Sequence, residues 1–275
     1  MRTGDCTSLP IARRCRHGIG WGRAPDSFIR LSTAGLITPT DASGLRVETH
    51  LDPQPVREAF ERESSYFESM PEQGQWLHLW QPRQGLAVTL LEAGHAHFAV
   101  AAAQATAAGF PVEVRRSGGG CVALGPGMLV ISHLYCTPYN DIDRGYRRFA
   151  AKLVAAASRL KIRIGVGQVQ RSYCDGRFDL RWRSFKVGGI AQRRRVGSRR
   201  TRAWVQGVLS VEAGSSGYPV QVQSFYRALG SERDADPGVC ATLAQGIAED
   251  AALLPRLAQA VQSVFCVSAA RGMCE

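Results

Sequence analysis

The sequence predicts an α+β protein in which helices flank a mixed β-sheet, and three observations support this. The 275-residue chain is 45% hydrophobic and 21% charged, which is typical of a globular protein with a sizeable core. Segments with helical spacing alternate with short runs rich in β-branched and aromatic residues. Within residues 95–120 a helix, a strand and a glycine loop follow one another, an order typical of mixed architecture.

The first predicted element is a helix over residues 55–70, where Val56, Phe60 and Phe67 lie at near-helical spacing among charged residues. Two strands, QWLHLWQP and GLAVTLLE, follow on either side of a Pro-Arg-Gln-Gly turn, and we expect them to form a hairpin or an adjacent pair. The Ala-rich stretch HAHFAVAAAQATAAG predicts a helix that ends at Gly109. FPVEVRR predicts a strand that runs directly into SGGG.

The second half of the chain begins with a predicted strand, GMLVISHLY, a long amphipathic helix, DRGYRRFAAKLVAAASRL, and another strand, KIRIGVGQV. GRFDLRWRSFKVGGIAQRR predicts a strand, a turn and a strand, and AWVQGVLSVE one further strand. After Pro219 we expect helices, one opened by Asp236 and Pro237 and one interrupted at Pro255. Residues 46–275 are therefore expected to form one domain with a helical C-terminal cap.

Residues 1–45 show neither helical nor strand periodicity, and we expect a flexible extension. An alternative is that this segment precedes the true translation start. It contains several arginines but lacks the apolar run of a secretory signal. No window approaches the roughly 18 to 20 consecutive apolar residues of a membrane span, so we expect a cytoplasmic protein without a membrane segment.

The eight cysteines are scattered, without a Cys-x-x-Cys pair or a histidine placed to complete a zinc set. We therefore expect neither a metal site nor a disulfide framework. The net charge of +11 is concentrated between Arg171 and Arg202, where eleven basic residues face only Asp175 and Asp179. An anionic partner fits this run, either an acidic protein or a nucleotide phosphate, and a solvated loop is the alternative. Nucleic acid is disfavoured because no aromatic residues are interleaved in RRRVGSRRTR.

The first motif that could take part in binding or catalysis is RRSGGGCVALGPG, residues 115–127. Three glycines at the end of a strand let backbone amides point into a cavity, where they can hold a carbonyl oxygen or a phosphate. The loop is neither a Walker loop, since no Gly-Lys-Ser/Thr follows, nor a dinucleotide fingerprint, since the spacing is wrong.

The second motif places Cys174 twelve positions before Lys186, which is followed by Gly188 and Gly189. A thiol with a pKa of about 8.5 is mostly protonated at neutral pH unless a nearby cation stabilises the thiolate. If the two side chains meet, Lys186 can supply that cation. The two glycines would let the strand approach a substrate closely, and amides near Gly118, Gly119 and Gly120 could polarise an acyl carbonyl.

RRSGGG, followed about sixty residues later by GRFDL and KVGGIAQRR, resembles the lipoate-protein ligase and octanoyltransferase superfamily, which shares its fold with biotin-protein ligases. The resemblance covers roughly residues 50–250. SYC-x-GRFDL with a lysine twelve residues after the cysteine is most similar to the branch that forms an acyl thioester on the enzyme. Leu124 stands where the ligases usually have histidine, and this favours transfer.

The resemblance implies protein lipoylation by a cysteine acyltransferase. Cys174 and Lys186 would be catalytic, and the substrate-binding residues would be Arg116, Ser117, Gly118, Gly119, Gly120, Gly188 and Gly189. Lipoyl-domain proteins are the implied partners, namely glycine cleavage H protein and the acyltransferase subunits of 2-oxoacid dehydrogenases, or else acyl carrier protein. The transfer requires no cofactor. The alternative is an ATP-dependent lipoate-protein ligase that forms an acyl adenylate and needs ATP and Mg.

Three further residues are weaker candidates. His133 could act as a general base, although one histidine on an apolar strand is more often a core residue. Ser117 is better interpreted as a hydroxyl that caps the glycine loop than as a nucleophile, because no His and Asp are arranged around it. Cys121, next to the glycine loop, is the rival thiol.

Overall fold

A computed structural model describes residues 36–38, 44–233, 235–247 and 252–270. The strands are β1 (Leu36–Thr38), β2 (Leu45–Gln54), β3 (Gln75–Pro82), β4 (Gly85–Thr89), β5 (Val112–Arg115), β6 (Val122–Leu124), β7 (Met128–Thr137), β8 (Gly165–Val166), β9 (Leu180–Trp182), β10 (Phe185–Val196) and β11 (Thr201–Ser210). The helices are α1 (Val56–Ser69), α2 (Leu90–Ala93), α3 (Phe98–Ala107), α4 (Ile142–Arg159), α5 (Tyr218–Leu229) and α6 (Leu253–Ala270).

The strands form two sheets. The large sheet has the order β1-β2-β3-β7-β11-β10-β9-β8 and the small one the order β5-β4-β6. The pairs β2–β3 and β4–β5 are parallel and the other pairs are antiparallel. The predicted α+β class with a mixed sheet and flanking helices is confirmed.

Helices α4 and α6 cover one face of the large sheet because each carries an apolar stripe at a spacing of four residues. In α4 the stripe includes Phe149 and Leu153, and in α6 it includes Leu257, Val261 and Phe265, all of them buried. The other face of the large sheet packs against α1, and residues of the small sheet belong to the same apolar cluster. Two apolar layers therefore lie on opposite sides of the central strands β3, β7 and β11.

The expected pairing of QWLHLWQP with GLAVTLLE is wrong. These segments are β3 and β4, which belong to different sheets. Strands β2 and β7 occupy both edges of β3, so β4 has no edge on which to pair. The second segment also ends as a strand at Thr89, because Thr89 and Glu92 form a capping box that starts α2.

Three other predictions near the C-terminal half need correction. Residues 161–169 contribute only the two-residue strand β8. The segment opened by Asp236 and Pro237 forms two short 3₁₀ turns, Pro237–Val239 and Leu243–Gly246, because the chain there bonds to β10, with the Ala241 amide donating to the Lys186 carbonyl. Pro255 does not interrupt α6, since it lies in the first turn, where amide hydrogens have no acceptor within the helix.

Helix α6 is long and apolar enough, by length and composition, to cross a membrane, with a mean hydropathy of 1.2 over Leu253–Ala270. In this fold 56% of that stretch is buried, against α4 and the large sheet. A core helix passes the same test, and the packing of α6 is that of a core helix.

The proposed extension, residues 1–45, falls largely outside the described residues. Within that range the structure describes β1, which pairs antiparallel with β2, and the start of β2 itself.

Two valines on α6 test its packing. Val261 is fully buried, whereas Val267 is 43% exposed. We expect Val261→Ala to lower the free energy of unfolding by about 2 kcal/mol, through lost burial and a residual cavity. Val267→Ala should change it by less than about 0.5 kcal/mol. Urea unfolding of both variants measures the difference, and equal effects would contradict this packing.

Candidate active site

Cys174 lies in the loop between β8 and β9, which is folded around one buried carboxylate. Asp179 Oδ2 accepts hydrogen bonds from the amides of Val169 and Gly176, each at 3.1 Å. Ser172 Oγ donates to the Val169 carbonyl at 2.7 Å. These bonds hold Cys174 in a left-handed backbone conformation with φ of 47°, which costs a non-glycine residue roughly 1–2 kcal/mol. The loop thus fixes the thiol in a conformation that an isolated segment would avoid.

Lys186 on β10 is 1% exposed and ties this loop to the large sheet. Its Nζ lies 2.8 Å from Asp179 Oδ1 and donates to the carbonyl oxygens of Tyr173 at 2.7 Å and Cys174 at 2.9 Å. These three oxygens match the three hydrogens of an ammonium group. The structure therefore brings Lys186 and Cys174 together, as their spacing suggested, but the contact is to the backbone of Cys174.

The glycine loop is held by Arg115, the last residue of β5. Its guanidinium donates to Ser117 Oγ at 2.6 Å, to the Gly118 carbonyl at 2.5 Å and to the Gly120 carbonyl at 2.7 Å. Arg115 is buried, whereas Arg116, the residue chosen from the sequence, is exposed. Strand alternation could not have identified Arg115, because it places Arg116 on the face of Val112 and Val114. Ser117 accepts from it, consistent with the expected capping role.

The glycine loop and the Cys174 loop meet at the sulfur atom. The Gly120 amide donates to Cys174 Sγ at 3.0 Å. Gly119 has φ of 106°, and a Cβ there would lie 2.6 Å from Sγ. A Cβ on Gly120 would lie 2.4 Å from Arg233 Nη1 and 2.5 Å from Tyr226 Oη. Only glycine fits at both positions, so the motif is explained by close approach around the thiol.

An apolar pocket opens on one side of Cys174, between the large and small sheets. Val122 and Leu124 of β6 contribute to it, and Gly189 forms part of its wall. Its other apolar residues are Phe60, Ala87, Val130, Ile190, Ala191 and Val208, and it also includes Arg115, Tyr173, Lys186 and Gln206. Such a lining can hold an aliphatic chain beside Cys174. Gly188, the other predicted glycine, instead passes the β11 backbone, since a Cβ there would lie 2.3 Å from the Val208 carbonyl.

A second, polar pocket lies on the other side of Cys174 and includes Tyr226 and Arg233. Tyr226 Oη donates to Glu92 Oε1 at 2.6 Å and accepts from Arg233 Nη1 at 3.2 Å. Burial, and then the hydrogen bond to Glu92, raise the pKa of Tyr226, so its hydroxyl keeps its proton. The Cys121 amide donates both to Tyr226 Oη and to Glu92 Oε1, at 2.8 Å each. No local sequence pattern indicates this polar group, because its members come from α2, α5 and the segment after α5.

The other candidate nucleophile and base lie in unsuitable places. Cys121 is fully buried, and burial followed by the charge of Glu92 raises the pKa of its thiol well above the usual range. His133 is buried and lines a pocket with α4, away from the residues around Cys174. Burial, and then the charges of Lys152 and Arg148, lower its pKa well below the usual range, so it is a neutral imidazole.

The arginine run on β10 and β11 is largely engaged within the chain. Arg193 and Arg195 form ion pairs with Glu68, and Arg202 donates to the Glu68 carbonyl at 2.5 Å. Arg194 donates to the Tyr139 carbonyl. Cations at the last carbonyls of α1 also complement the helix dipole. Part of the charge that suggested an anionic partner therefore has an internal role.

Comparisons with a family model and with curated proteins agree on the family of this chain. Residues 55–265 match the family described as the lipoyl protein ligase A/B catalytic domain. An uncharacterized protein of Cupriavidus necator is 31% identical over 206 residues, which cover 67% of this chain and 81% of that protein. The octanoyl-[GcvH]:protein N-octanoyltransferase of Geobacillus kaustophilus is 32% identical over 147 residues, 51% of this chain and 50% of that enzyme. The matched region thus spans about half the length of that enzyme.

Solved structures share the fold. A crystal structure of lipoate-protein ligase A bound with ATP superimposes with a TM-score of 0.61 at 14% identity, covering 80% of this chain and 84% of that one. A bipartite lipoate protein ligase of Thermoplasma acidophilum, described with its E2 lipoyl domain, gives a TM-score of 0.57 at 13% identity, covering 80% and 84%. At these identities the likeness concerns the fold alone.

The glycine loop offers a matched pair of substitutions. Gly119→Ala places a methyl group against Cys174 Sγ in a left-handed backbone, whereas Gly118 has no atom within 4 Å of a built Cβ. We expect Gly119→Ala to lower the free energy of unfolding by about 2–4 kcal/mol and Gly118→Ala to change it by less than about 0.5 kcal/mol. Chemical denaturation measures both, and similar losses would show that the loop does not pack as described.

The ion pair between Lys186 and Asp179 can be tested by a double-mutant cycle. Asp179→Asn leaves a buried ammonium without its counter-charge and should cost about 3–5 kcal/mol of stability. Combining it with Lys186→Met removes that charge, so the two effects should fail to add by about 1–3 kcal/mol. Asp175→Asn, an exposed acid in the same loop, is the control and should be near neutral. Additive losses in the cycle would contradict the pairing.

Proposed function

Because the chain belongs to the lipoyl protein ligase A/B catalytic-domain family, we propose that it is an acyltransferase of protein lipoylation. In this proposal Cys174 carries an octanoyl or lipoyl group as a thioester and passes it to a lysine of a lipoyl domain. One observation carries the proposal: Cys174 lines an apolar pocket, and its Sγ accepts a hydrogen bond from the Gly120 amide. The relatives named octanoyl-[GcvH]:protein N-octanoyltransferase support this choice of reaction.

The first half-reaction loads the enzyme. The aliphatic chain of the donor lies in the apolar pocket, and the Cys174 sulfur attacks the acyl carbonyl carbon. The bond from carbon to the donor's nitrogen or sulfur breaks, and the thiol proton leaves with that group. Backbone amides of the glycine loop are the nearest polarising groups, and one well-placed donor is worth about 3–4 kcal/mol in such reactions.

The second half-reaction transfers the group. The lysine amine of the acceptor attacks the thioester, an amide forms, and the Cys174 thiol is regenerated with a proton from the amine. The polar pocket on the other side of Cys174 is the approach that remains open when the apolar pocket holds the chain. Arg233, half-exposed at that pocket, and the Tyr226 hydroxyl are positioned beside this approach.

Lys186 has a positioning role in this mechanism. Its ammonium group holds the Tyr173 and Cys174 carbonyls, so the thiol-bearing backbone is fixed to β10. Its charge is paired with Asp179 Oδ1 at 2.8 Å. We therefore propose that Lys186 acts by positioning the backbone that carries the thiol rather than through a direct hydrogen bond to the sulfur.

Transfer between acyl donors and acceptors needs no ATP, because the acyl bond of the donor is exchanged for an amide of equal or greater stability at the acceptor. ATP belongs to the ligase alternative, in which free acid is first converted to an acyl adenylate. The buried Leu124 makes the pocket wall apolar at the position where the ligases usually have histidine, and this favours transfer. The proposed partners are lipoyl-domain proteins, of which the names of the relatives specify GcvH as donor.

Intact-mass analysis tests the proposal. The protein is incubated with octanoylated H protein or octanoyl acyl carrier protein, without ATP, and we expect one added octanoyl group that maps to Cys174. Cys174→Ser should slow octanoyl transfer to an acceptor lipoyl domain by at least about 100-fold, the scale on which enzymes depend on their nucleophile.

Cys121→Ser is the matched control, because it changes the neighbouring buried thiol and should still form the acyl-enzyme. Transfer by Cys174→Ser at the wild-type rate would overturn the proposal. Formation of lipoyl-AMP from lipoate and ATP, with no acyl-enzyme from either donor, would identify a ligase instead.

A further inference from the structure

A second group of potential ligands lies on β2 and β3, in a part of the molecule that the proposed reaction does not use. These two strands are parallel, and Glu48 is directly opposite His78 in their register. His50 follows Glu48 by two residues and so lies on the same face. One ligand atom from each of the three side chains falls within 4.8 Å of the other two. The strand pairing therefore gathers two imidazoles and a carboxylate at one point.

His78, the most deeply buried of the three side chains, has one ring nitrogen that no described residue hydrogen-bonds. The side chain is fully buried, and its Nδ1 lies 2.8 Å from Glu63 Oε1. Glu63 also accepts from Trp80 Nε1 at 3.0 Å and from Gln206 Nε2 at 2.9 Å. Because the Glu63 carboxylate accepts from its neighbours, His78 Nδ1 is used in this contact and Nε2 is the ring nitrogen available to another partner. That Nε2 is buried and finds no hydrogen-bond partner among the described residues.

We propose that Glu48, His50 and His78 form a binding site for a divalent transition-metal ion of the zinc class. Two imidazole nitrogens and a carboxylate oxygen are donors that zinc accepts at about 2.0–2.2 Å, with water in the fourth position. The hydrogen bond from His78 Nδ1 to Glu63 is the outer contact that metal-binding histidines ordinarily make. A metal ion supplies the partner that the buried His78 Nε2 lacks.

Arg62 occupies the mouth of this site in the metal-free protein. Its Nη1 lies 3.1 Å from Glu48 Oε1 and 3.0 Å from His50 Nε2, and its side chain is 39% exposed. His50 Nε2 lies 2.8 Å from the same oxygen of Glu48. Binding of the ion would move the guanidinium outward to solvent and replace the hydrogen bond between His50 and Glu48. Arg62 therefore competes with the metal.

Arg46 contacts the other oxygen of Glu48. Its Nη2 donates to Glu48 Oε2 at 3.1 Å, so this ion pair does not involve the Oε1 atom that lies against His50 and Arg62.

The ion would join β2 to β3, and Glu63 would connect it to Gln206, which lines the apolar pocket beside Cys174. A structural role follows from this placement, because the three ligands leave no residue of the Cys174 site in contact with the metal. The proposal therefore stands independently of the acyl-transfer reaction.

Cobalt binding tests the site in the full chain. After chelator treatment, one equivalent of Co²⁺ should give the visible d–d absorption of a tetrahedral ion, which Zn²⁺ should abolish by displacement. The midpoint of thermal unfolding should rise with added Zn²⁺, since an ion that binds the folded state stabilises it. Absorption from thiolate-to-cobalt charge transfer would place the ion on cysteines and overturn the assignment.

Substitutions at the proposed ligands and at Arg62 should change the affinity for Co²⁺ in opposite directions. His50→Ala and Glu48→Gln should each weaken Co²⁺ binding by at least about 10-fold to 100-fold, the loss that even outer contacts produce. Arg62→Met should strengthen binding, because the competing cation is removed. The double variant His95→Ala/His97→Ala, which removes an exposed histidine pair elsewhere, is the control and should bind like wild type.

Circular dichroism and thermal unfolding without metal establish that each variant is folded. Absence of Co²⁺ binding in both the wild type and Arg62→Met would overturn the site. Loss of binding in the His95/His97 double variant alone would show that the metal binds that surface pair instead.

Discussion

The buried ion pair between Lys186 and Asp179 is the interaction on which the geometry around the thiol depends. Each partner is almost fully buried, so neither tolerates the loss of the other. Asp179 gathers the loop amides, and Lys186 gathers the loop carbonyls. The hydrogen bonds that these two charged groups make to the loop backbone offset the cost of burying them. The same hydrogen bonds fix the backbone that carries Cys174. A left-handed cysteine is stable there because both ends of its loop are anchored.

The same principle governs the glycine loop on the opposite side of the sulfur atom. Arg115 is a buried cation that donates to three oxygens of the loop, so the turn is shaped by a side chain from within the strand. Two charged anchors, one on the small sheet and one on the large sheet, therefore position the Gly120 amide against Cys174 Sγ. The apolar pocket beside Cys174 is lined by residues of both sheets, among them Leu124, Val130 and Val208. The surroundings of the thiol therefore depend on how the two sheets meet.

Other charged side chains also form ion pairs and hydrogen bonds within the chain. The arginines of β10 and β11 bind the end of α1, which carries Glu63 and Glu68. Glu63 in turn collects His78, Trp80 and Gln206, so one helix connects the β2–β3 histidines to the apolar pocket. A run of like charges in a sequence is therefore weak support for an external partner, because its side chains can form ion pairs and hydrogen bonds with helix termini and carboxylates of the same chain.

Local patterns in the sequence determined the α+β class, α1, α3, α4 and most strands of the large sheet, and motif spacing singled out Cys174 and Lys186 as candidates. Periodicity and motif spacing are local properties, so they can be recognised in the sequence without knowledge of the packing. Tertiary structure decided the rest: β4 left β3 because both edges of β3 were taken, and Arg115 replaced Arg116 because only its side chain faces the loop. It also directed the Lys186 ammonium to backbone oxygens, and it brought Glu92, Tyr226 and Arg233 to the thiol from distant segments. Such choices depend on which surfaces remain unoccupied after the sheets pack, and no local pattern encodes that.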